Sequence, residues 1–419
     1  MSTETVVMKF GGTSVGSLER IQLTAQRVMT EFARHKRLVV VVSAMAGQTD
    51  RLLDMGNSLN RSGSQAALRE IDSLAATGEQ VSAALLALAL QQLGCKARSF
   101  TAHQVTIDTD GRFQRARIRS VDSKPLLDCL DQGCIGVVTG FQGTDDSGNL
   151  VTLGRGGSDT SAVAIAIALN ADLCEIYTDV DGVYTADPRL VPSARKLEKI
   201  SYDEMLELAS TGAKVLMIRS VELAMKRRLN LSVRTSFSDA PGTLITDMKQ
   251  NLEEPVVTGL SHDVRQAKVS IIGLPGLPDS LTTALGPLAE DDISVDFITQ
   301  NIGSDGRMSL AFSVEEKLLE RAVESLESHF RAASLADLRL EVARDLAKVS
   351  AVGIGMRTHA GVAHRVFSSL TRQRIPIFMA LSTEIRVSCL IPAADCKRAL
   401  EVLHGEFFEQ PQPASAVNH

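Results

Sequence analysis

The chain has 419 residues and a mass of 45.0 kDa, enough for about two to four domains that each bury a core. Hydrophobic residues make up 44% and charged residues 22%, a balance that excludes disordered, collagen-like and coiled-coil proteins. The net charge of −6 comes with no basic stripe and no tryptophan, so we do not expect a nucleic-acid partner.

Membrane and metal sites are not expected from the composition. No run approaches about 18 uninterrupted apolar residues, and the first residues lack the basic region of a signal peptide, which favours a cytoplasmic protein. The six cysteines form no CxxC pair, and their apolar neighbours favour reduced, partly buried thiols over metal ligands.

Residues 5–247 alternate short apolar runs with longer helical patterns. The apolar runs are too continuous for half-exposed strands, so they predict a parallel sheet covered on both faces. The expected fold over residues 1–248 is therefore α/β, a three-layer α/β/α sandwich. The strands are predicted at 6–10, 38–42, 135–138 and 173–177, and the helices at roughly 18–35, 64–93, 158–170 and 202–229.

An internal repeat follows a polar run at 249–261, which is predicted to be a linker. The tetrapeptide AKVS at 267–270 recurs about 80 residues later, and each copy continues in a βαββα pattern. This predicts two small α/β modules at 262–341 and 342–408, followed by a flexible tail at 409–419. Such small modules seldom bury both sheet faces alone, so we expect them to pair within or between subunits.

Two glycine-rich turns are candidates for anion binding. The first, KFGGTSVG at 9–16, ends a strand, where glycines let backbone N–H groups approach an anion and Lys9 adds a full positive charge. The second, GRGGSDTS at 154–161, places Arg155 among glycines just before a helix, and arginine binds carboxylates with two hydrogen bonds. A tight βα turn and a simple helix cap remain the structural alternatives. Neither motif matches the P-loop or GxGxxG.

A third motif, YTDVDGVYTADPR at 177–189, follows a buried strand at the sheet edge where open α/β sheets bind ligands. Its DxDG is not a calcium loop, because position 12 counted from Asp179 is Leu190 rather than glutamate. A long turn is the alternative interpretation. Ser43, Glu79 and Lys214 are weaker single candidates, for which packing, helix-dipole stabilisation and solvation are the alternatives.

Together with GFQG at 140–143, these ordered motifs resemble the aspartate kinases of the amino acid kinase family, and the tail resembles their two ACT modules. The resemblance covers nearly the whole chain. It implies ATP-dependent phosphorylation of the L-aspartate β-carboxylate to 4-phospho-L-aspartate, the first step towards lysine, threonine and methionine. The Mg²⁺ would be held mainly by nucleotide phosphates and water. Rival interpretations are another amino-acid or carbamate kinase, and a non-catalytic amino-acid sensor.

The resemblance also implies a role for each matching residue. Lys9 with Gly11 and Gly12 would hold the transferring phosphoryl group, Asp159 would orient Lys9, and Lys214 would neutralise nucleotide phosphates. Arg155 would bind the α-carboxylate of aspartate and Glu79 its ammonium. The nucleotide site would further contain Tyr177, Thr178, Asp179, Tyr184 and Arg189, and the substrate pocket would contain Ser43, Thr49, Phe141 and Ser158.

The regulatory part departs from the family pattern. Gly276 stands where the family has an acid that would pair with an effector's ammonium, within PGLPD at 275–279. The matching or variant effector-side residues are Asp279, Gln300, Asn301 and Thr383. We therefore expect altered or weakened feedback by lysine or threonine. The resemblance also implies a homodimer through the ACT modules and an association with a shorter regulatory chain.

Overall fold

The computed structural model describes residues 4–35, 37–60, 64–213, 215–248, 256–276, 279–332, 338–357 and 361–409. The chain divides into two compact units. The first comprises Met1–Val183, Lys196–Ala209 and Lys214–Gln250, and the second comprises Tyr184–Arg195, Ser210–Ala213 and Asn251–His419. Lys214, positions 249–255 of the predicted linker and positions 410–419 of the predicted tail lie outside the described residues.

The first unit contains twelve strands and eight helices among its described residues. The strands are β1 (Thr5–Phe10), β2 (Arg37–Val42), β3 (Ala97–Phe100), β4 (Ile107–Thr109), β5 (Ile118–Val121), β6 (Ile135–Thr139), β7 (Gln142–Thr144), β8 (Leu150–Thr152), β9 (Leu173–Thr178), β10 (Lys199–Ser201), β11 (Asn230–Thr235) and β12 (Thr243–Thr246). The helices are α1 (Leu18–His35), α2 (Gln48–Leu59), α3 (Gln65–Ala75), α4 (Thr77–Gln92), α5 (Lys124–Asp131), α6 (Gly157–Ala168), α7 (Tyr202–Ser210) and α8 (Ile218–Arg227).

Eight of these strands, in the part of the chain that the structure describes, form one sheet in the order β10-β12-β11-β9-β1-β2-β6-β3. All neighbours run parallel except β11 and β12. Alternate residues of β1 and β2 pack on α1 and α4, while α6 packs on the opposite face. The predicted parallel sheet and its three layers are therefore confirmed, and the buried strands read as continuous apolar runs because both faces are covered.

The predicted helix at 64–93 is two helices, α3 and α4, and the one at 202–229 is also two, α7 and α8. Ala76 separates α3 from α4. Gly78, in the first turn of α4, packs so closely that a Cβ atom on it would lie 2.7 Å from the Cβ of Ala44. Helix α2 lies in a segment for which no element was predicted, and Leu52 is the one residue that it buries.

The stretch 65–92, which comprises α3 and α4, is by length and composition apolar enough to cross a membrane. The search for an uninterrupted apolar run in the sequence did not identify it. More than half of its most apolar window is buried inside the protein. Ala83, Leu86 and Leu90 of α4 contribute to the core beneath β1 and β2. The apolar character of this stretch is thus accounted for by its place as a core helix pair.

The second unit contains six strands, four α-helices and a π-helical turn among its described residues. They are β13 (Gly259–Pro275), α9 (Ser280–Glu290), β14 (Asp296–Ile302), β15 (Arg307–Glu315), α10 (Leu319–Ala332), β16 (Arg339–Val352), α11 (Val362–Arg372), β17 (Met379–Ser382), β18 (Arg386–Pro392), α12 (Cys396–His404) and the π-helical turn Gly405–Glu409. The βαββα order predicted for each repeat is present.

The two repeats share one antiparallel sheet, ordered β14-β15-β13-β16-β18-β17 over the described residues. The later half of β13 pairs with the first half of β16, and Gly259–Asp263 pairs with the later half of β16. Strand β13 therefore begins inside the segment predicted as a linker, and the predicted module boundaries remain a prediction. Strand β17 begins at Met379, after Pro376, which has no N–H to donate to a strand ladder.

Residues 184–195 are held in the second unit by its C-terminal helix and turn. The hydroxyl of Thr185 lies 2.9 Å from Nε2 of the fully buried His404. Arg195 donates to the carbonyl of Phe408 at 2.6 Å, and Ala186 and Val191 are part of the apolar core around α11 and α12. The last part of the third sequence motif, residues 184–189, thus belongs structurally to the second unit.

Candidate active site

The candidate active site lies where four adjacent parallel strands, β9, β1, β2 and β6, reach the same rim of the sheet. Backbone hydrogen bonds tie these strand ends together: Gly11 N–H donates to the Tyr177 carbonyl at 3.1 Å, Ser43 N–H to the Phe10 carbonyl at 3.1 Å, and Gly140 N–H to the Val42 carbonyl at 3.0 Å. The rim is consequently a fixed framework for the side chains that follow each strand, as expected of a ligand site in an open α/β sheet.

A cavity of about 690 Å³ opens at this rim. Ten of the residues proposed from the sequence line it: Lys9, Gly12, Ser43, Thr49, Glu79, Phe141, Arg155, Ser158, Asp159 and Thr178. They come from segments that are as much as 169 positions apart in the chain, between Lys9 and Thr178. The volume is in the range of small-molecule sites, and the walls carry charge of both signs.

Lys9 and Asp159 form an ion pair inside this cavity. Nζ of Lys9 lies 2.6 Å from Oδ1 of Asp159, and each side chain is only about one-tenth exposed. Lys9 is presented by the end of β1, and Asp159 by the first turn of α6. Because the carboxylate fixes the direction of the lysine side chain, the ammonium is held at the rim with hydrogens left for an anion.

The glycine loop before α6 depends on its lack of side chains. Gly156 has a φ of +68° and precedes the helix as its N-cap. A Cβ there would lie 1.9 Å from Cγ of Met217, which also lines the cavity. The loop therefore brings its backbone against the 215–217 wall and directs the positive end of the α6 dipole towards the cavity.

Arg155 is the cation of the same loop. It is exposed and makes no ion pair with any described residue. Its neighbours Gly154 and Gly156 both line the cavity. A guanidinium in that position is free to take a carboxylate with two parallel hydrogen bonds.

Glu79 provides a buried negative group on another wall. It is 2% exposed, and its Oε1 accepts a hydrogen bond of 3.0 Å from the N–H of Ala44. Its Oε2 is buried and has no hydrogen-bond partner among the described residues. Burial raises the pKa of Glu79 to about 7, although the Ala44 N–H bond opposes the shift. A bound ammonium group would satisfy the unpartnered oxygen.

Two of the proposed nucleotide residues in the first unit, Tyr177 and Asp179, do not line the cavity. The side chain of Tyr177 is fully buried and stacks on Phe10 at 4.8 Å, so it packs in the core instead of lining a ligand site. Asp179 is exposed beside Thr178 without lining the cavity. Tyr184 and Arg189 belong to the second unit. Lys214 lies outside the described residues.

Gly11 also does not line the cavity, and its N–H donates a hydrogen bond to the Tyr177 carbonyl. The cavity contains residues that the sequence did not reveal, among them Asp50 and Asn57 of α2, Gln114, Thr152 and Met217. Thr152 lies two residues before Gly154 of the glycine loop, so its position near the motif was an available signal. Asp50, Asn57 and Gln114 lie in segments for which no helix or strand was predicted, whereas Met217 lies within the stretch 202–229 that was predicted as a helix.

Two family descriptions match this chain: the amino acid kinase family over residues 4–235, and the ACT domain over residues 349–407. An aspartate kinase from Pseudomonas putida is 45% identical over 403 residues, which cover 96% of this chain and 97% of that protein.

Solved structures agree with this. E. coli aspartokinase III in complex with aspartate and ADP, in its R-state, has a TM-score of 0.77 and 28% identity, and the match covers 97% of this chain and 100% of that one. The same enzyme with lysine and aspartate, in its T-state, has a TM-score of 0.76 and 26% identity, over 96% and 99% of the two chains. The chain therefore belongs to the amino acid kinase family, and within it to the aspartate kinases.

Proposed function

We propose that this cavity transfers the γ-phosphoryl group of ATP to the β-carboxylate of L-aspartate, which makes 4-phospho-L-aspartate for amino-acid biosynthesis. The observation that carries the proposal is the combination in one cavity of the Lys9–Asp159 pair, the exposed Arg155 and the unpartnered Glu79 oxygen. A free amino acid with a second carboxylate matches these three groups in charge and in number.

The reaction places small demands on acid–base chemistry. The aspartate β-carboxylate has an ordinary pKa of about 3.9, so it is already ionised at neutral pH and needs no general base. The difficulty is to bring it in line with a γ-phosphate of the same charge sign. Lys9, directed by Asp159, and the N-terminus of α6 supply positive potential at the rim where the two anions meet.

Recognition of the amino-acid end falls to the other two groups. Arg155 binds the α-carboxylate and Glu79 binds the ammonium, so a ligand that lacks either group leaves a charge unpaired. Thr178 adjoins the nucleotide end of the cavity, and Ser43, Thr49, Phe141 and Ser158 complete the pocket. Mg²⁺, carried by the nucleotide phosphates and water, would neutralise phosphate charge.

An ADP-release assay with a panel of acceptors tests the proposal. Turnover is expected with L-aspartate, and little or none with L-glutamate or N-acetylglutamate. Turnover that follows one of the other acceptors would assign the chain to a different amino acid kinase, and ATP-independent amino-acid binding without turnover would indicate a sensor.

The pKa of Glu79 makes a prediction about pH. Because the carboxylate must be ionised to pair with ammonium, kcat/KM for aspartate should rise with pH through about 7, by about tenfold between roughly pH 6 and pH 8. In Glu79→Gln the value should be low at every pH and the rise should disappear. A rise of unchanged size in Glu79→Gln would show that another group controls it.

We also propose that amino acids regulate the enzyme through the second unit, and that two copies associate there. Gln300 and Asn301 are exposed on β14, which is the outer strand of the sheet over the described residues. Asp279 is exposed just before α9, Thr383 follows β17, and Gly276 offers no carboxylate to an effector. Weak inhibition by lysine plus threonine and a dimer by sedimentation are expected. Strong inhibition at millimolar effector or a concentration-independent monomer would contradict these two expectations respectively.

A further inference from the structure

A buried aspartate that does not itself line the cavity forms hydrogen bonds to two residues of the cavity wall. Asp72, on the inner face of α3, is fully buried. Its Oδ2 accepts hydrogen bonds from the N–H of Gln114 at 2.8 Å and of Thr152 at 2.7 Å, and its Oδ1 accepts from the Thr152 hydroxyl at 3.0 Å. It forms no ion pair with any described residue, so these three donors stabilise its charge.

The two residues that Asp72 holds both line the cavity. Thr152 ends β8, and the chain continues from it through Leu153 and Gly154 to Arg155. The carbonyl of Thr152 accepts from Ala116 N–H at 3.0 Å, so the 114–116 and 152–154 segments form one paired wall. Arg155 therefore leaves the framework only three residues from the point that Asp72 fixes.

A second charged side chain grips the same wall through other backbone groups. Arg219 of α8 donates to the carbonyl of Leu153 at 2.6 Å and to that of Ala116 at 3.0 Å. Asp72 thus holds the wall by accepting hydrogen bonds from its N–H groups, and Arg219 holds it by donating hydrogen bonds to its carbonyl groups. Hydrogen bonds to charged groups are stronger than neutral ones, so this arrangement restricts the wall more than a β-bridge alone would.

We propose that Asp72 is a positioning residue for aspartate recognition: by holding Gln114 and Thr152 it sets the place from which Arg155 reaches the α-carboxylate. This inference rests on the proposed function. Asp72 has no contact with the nucleotide in this proposal, so the loss of Asp72 should lower kcat/KM for aspartate and leave KM for ATP nearly unchanged. A buried group with only a structural role would instead lower stability and leave the two substrates equally affected.

Asp72→Asn is the principal variant, because asparagine keeps the shape and can still accept from both N–H groups through its carbonyl oxygen. Its amide NH₂ would meet the Thr152 oxygen, so the hydroxyl could no longer donate there and all the bonds would become neutral. We expect kcat/KM for aspartate to fall about tenfold, with KM for ATP changed less than about twofold. Glu70→Gln, an acid-to-amide change at an exposed position of the same helix, is the matched control and should behave as wild type.

Thr152→Val and Thr152→Ser make the test independent of whether Asp72→Asn folds. Valine removes the hydroxyl that donates to Asp72, whereas serine keeps it, so the valine variant should lose aspartate efficiency and the serine variant should retain most of it. Unchanged kcat/KM for aspartate in folded Asp72→Asn or Thr152→Val overturns the inference, as does an equal loss for both substrates. A wild-type protein without aspartate-dependent turnover would instead refute the proposed function.

Discussion

Replacing Lys9 by methionine is expected to lower kcat by at least about 10³-fold, because this side chain provides positive charge where two anions must approach. Lys9 is about one-tenth exposed and already oriented by Asp159, so water cannot readily take over the role of its ammonium group. KM for ATP and for aspartate should change much less than kcat, because other groups bind the ends of both substrates. The ADP-release assay measures all three quantities.

The Lys9 result needs two controls. Lys9→Met leaves Asp159 partly buried without its ammonium partner, which can damage the site for electrostatic reasons alone. The double variant Lys9→Met with Asp159→Asn removes that charge, and we expect it to stay inactive. Lys124→Met, at an exposed lysine of α5, should keep wild-type activity. Recovery of activity in the double variant, or more than about one-tenth of wild-type kcat in Lys9→Met, would contradict the phosphoryl-holding role.

Replacing Arg155 by alanine is expected to lower kcat/KM for aspartate by about 10²-fold, because the bidentate bond to the α-carboxylate is lost. Truncated acceptors identify which part of the substrate the arginine binds. β-Alanine is aspartate without its α-carboxylate, so it should be a poor substrate for wild type and should lose little more in Arg155→Ala. Such non-additivity is the result expected when the two changes remove the same interaction.

Glu79 can be examined in the same way with succinate, which is aspartate without its ammonium. Glu79→Gln should lower kcat/KM for aspartate strongly and leave the low value for succinate unchanged or improved, because the buried negative charge no longer faces a second anion. The assigned pairing would be wrong if Arg155→Ala lowered kcat/KM by the same factor for β-alanine as for aspartate. It would also be wrong if Glu79→Gln lowered kcat/KM by the same factor for succinate as for aspartate.

The sheet and the position of the site followed from the sequence because their physical causes are local. Continuous apolar runs occur where both sheet faces are covered, and β1, β2, β6 and β9 all lie where those runs predicted. Carboxyl ends of adjacent parallel strands meet at one rim, so the motif that follows β1 was expected there. The motif before α6 follows β8, a strand of a separate four-stranded sheet among the described residues, and Arg155 and Asp159 reach the cavity of Lys9 because α6 begins there.

Other features depend on which segments pack together, which the sequence does not specify. Tyr177 belongs to a motif that was predicted to bind a ligand, but its ring faces inward and stacks on Phe10, since it lies one residue before the strand end. Asp72 has no motif around it, and its role depends on Gln114 and Thr152 folding against α3. The repeat in the tail predicted two modules, but its spacing could not show that β13 and β16 serve both.

Two further segments were interpreted incompletely from the sequence. Helix α2 buries one residue and was missed, although Asp50 and Asn57 on it line the cavity. Residues 184–189 are the end of the third motif, but Ala186 and Val191 place the segment 184–195 in the apolar core of the second unit. Local patterns therefore predicted the elements better than they predicted the partners of those elements.

A crystal structure of the protein with ADP, Mg²⁺ and L-aspartate tests the central proposal most directly. We expect the α-carboxylate of aspartate on Arg155, its ammonium on the Oε2 atom of Glu79, and its β-carboxylate turned towards Lys9 and the nucleotide phosphates. Aspartate bound in the opposite orientation, or in a cleft that Lys9 does not reach, would contradict the account.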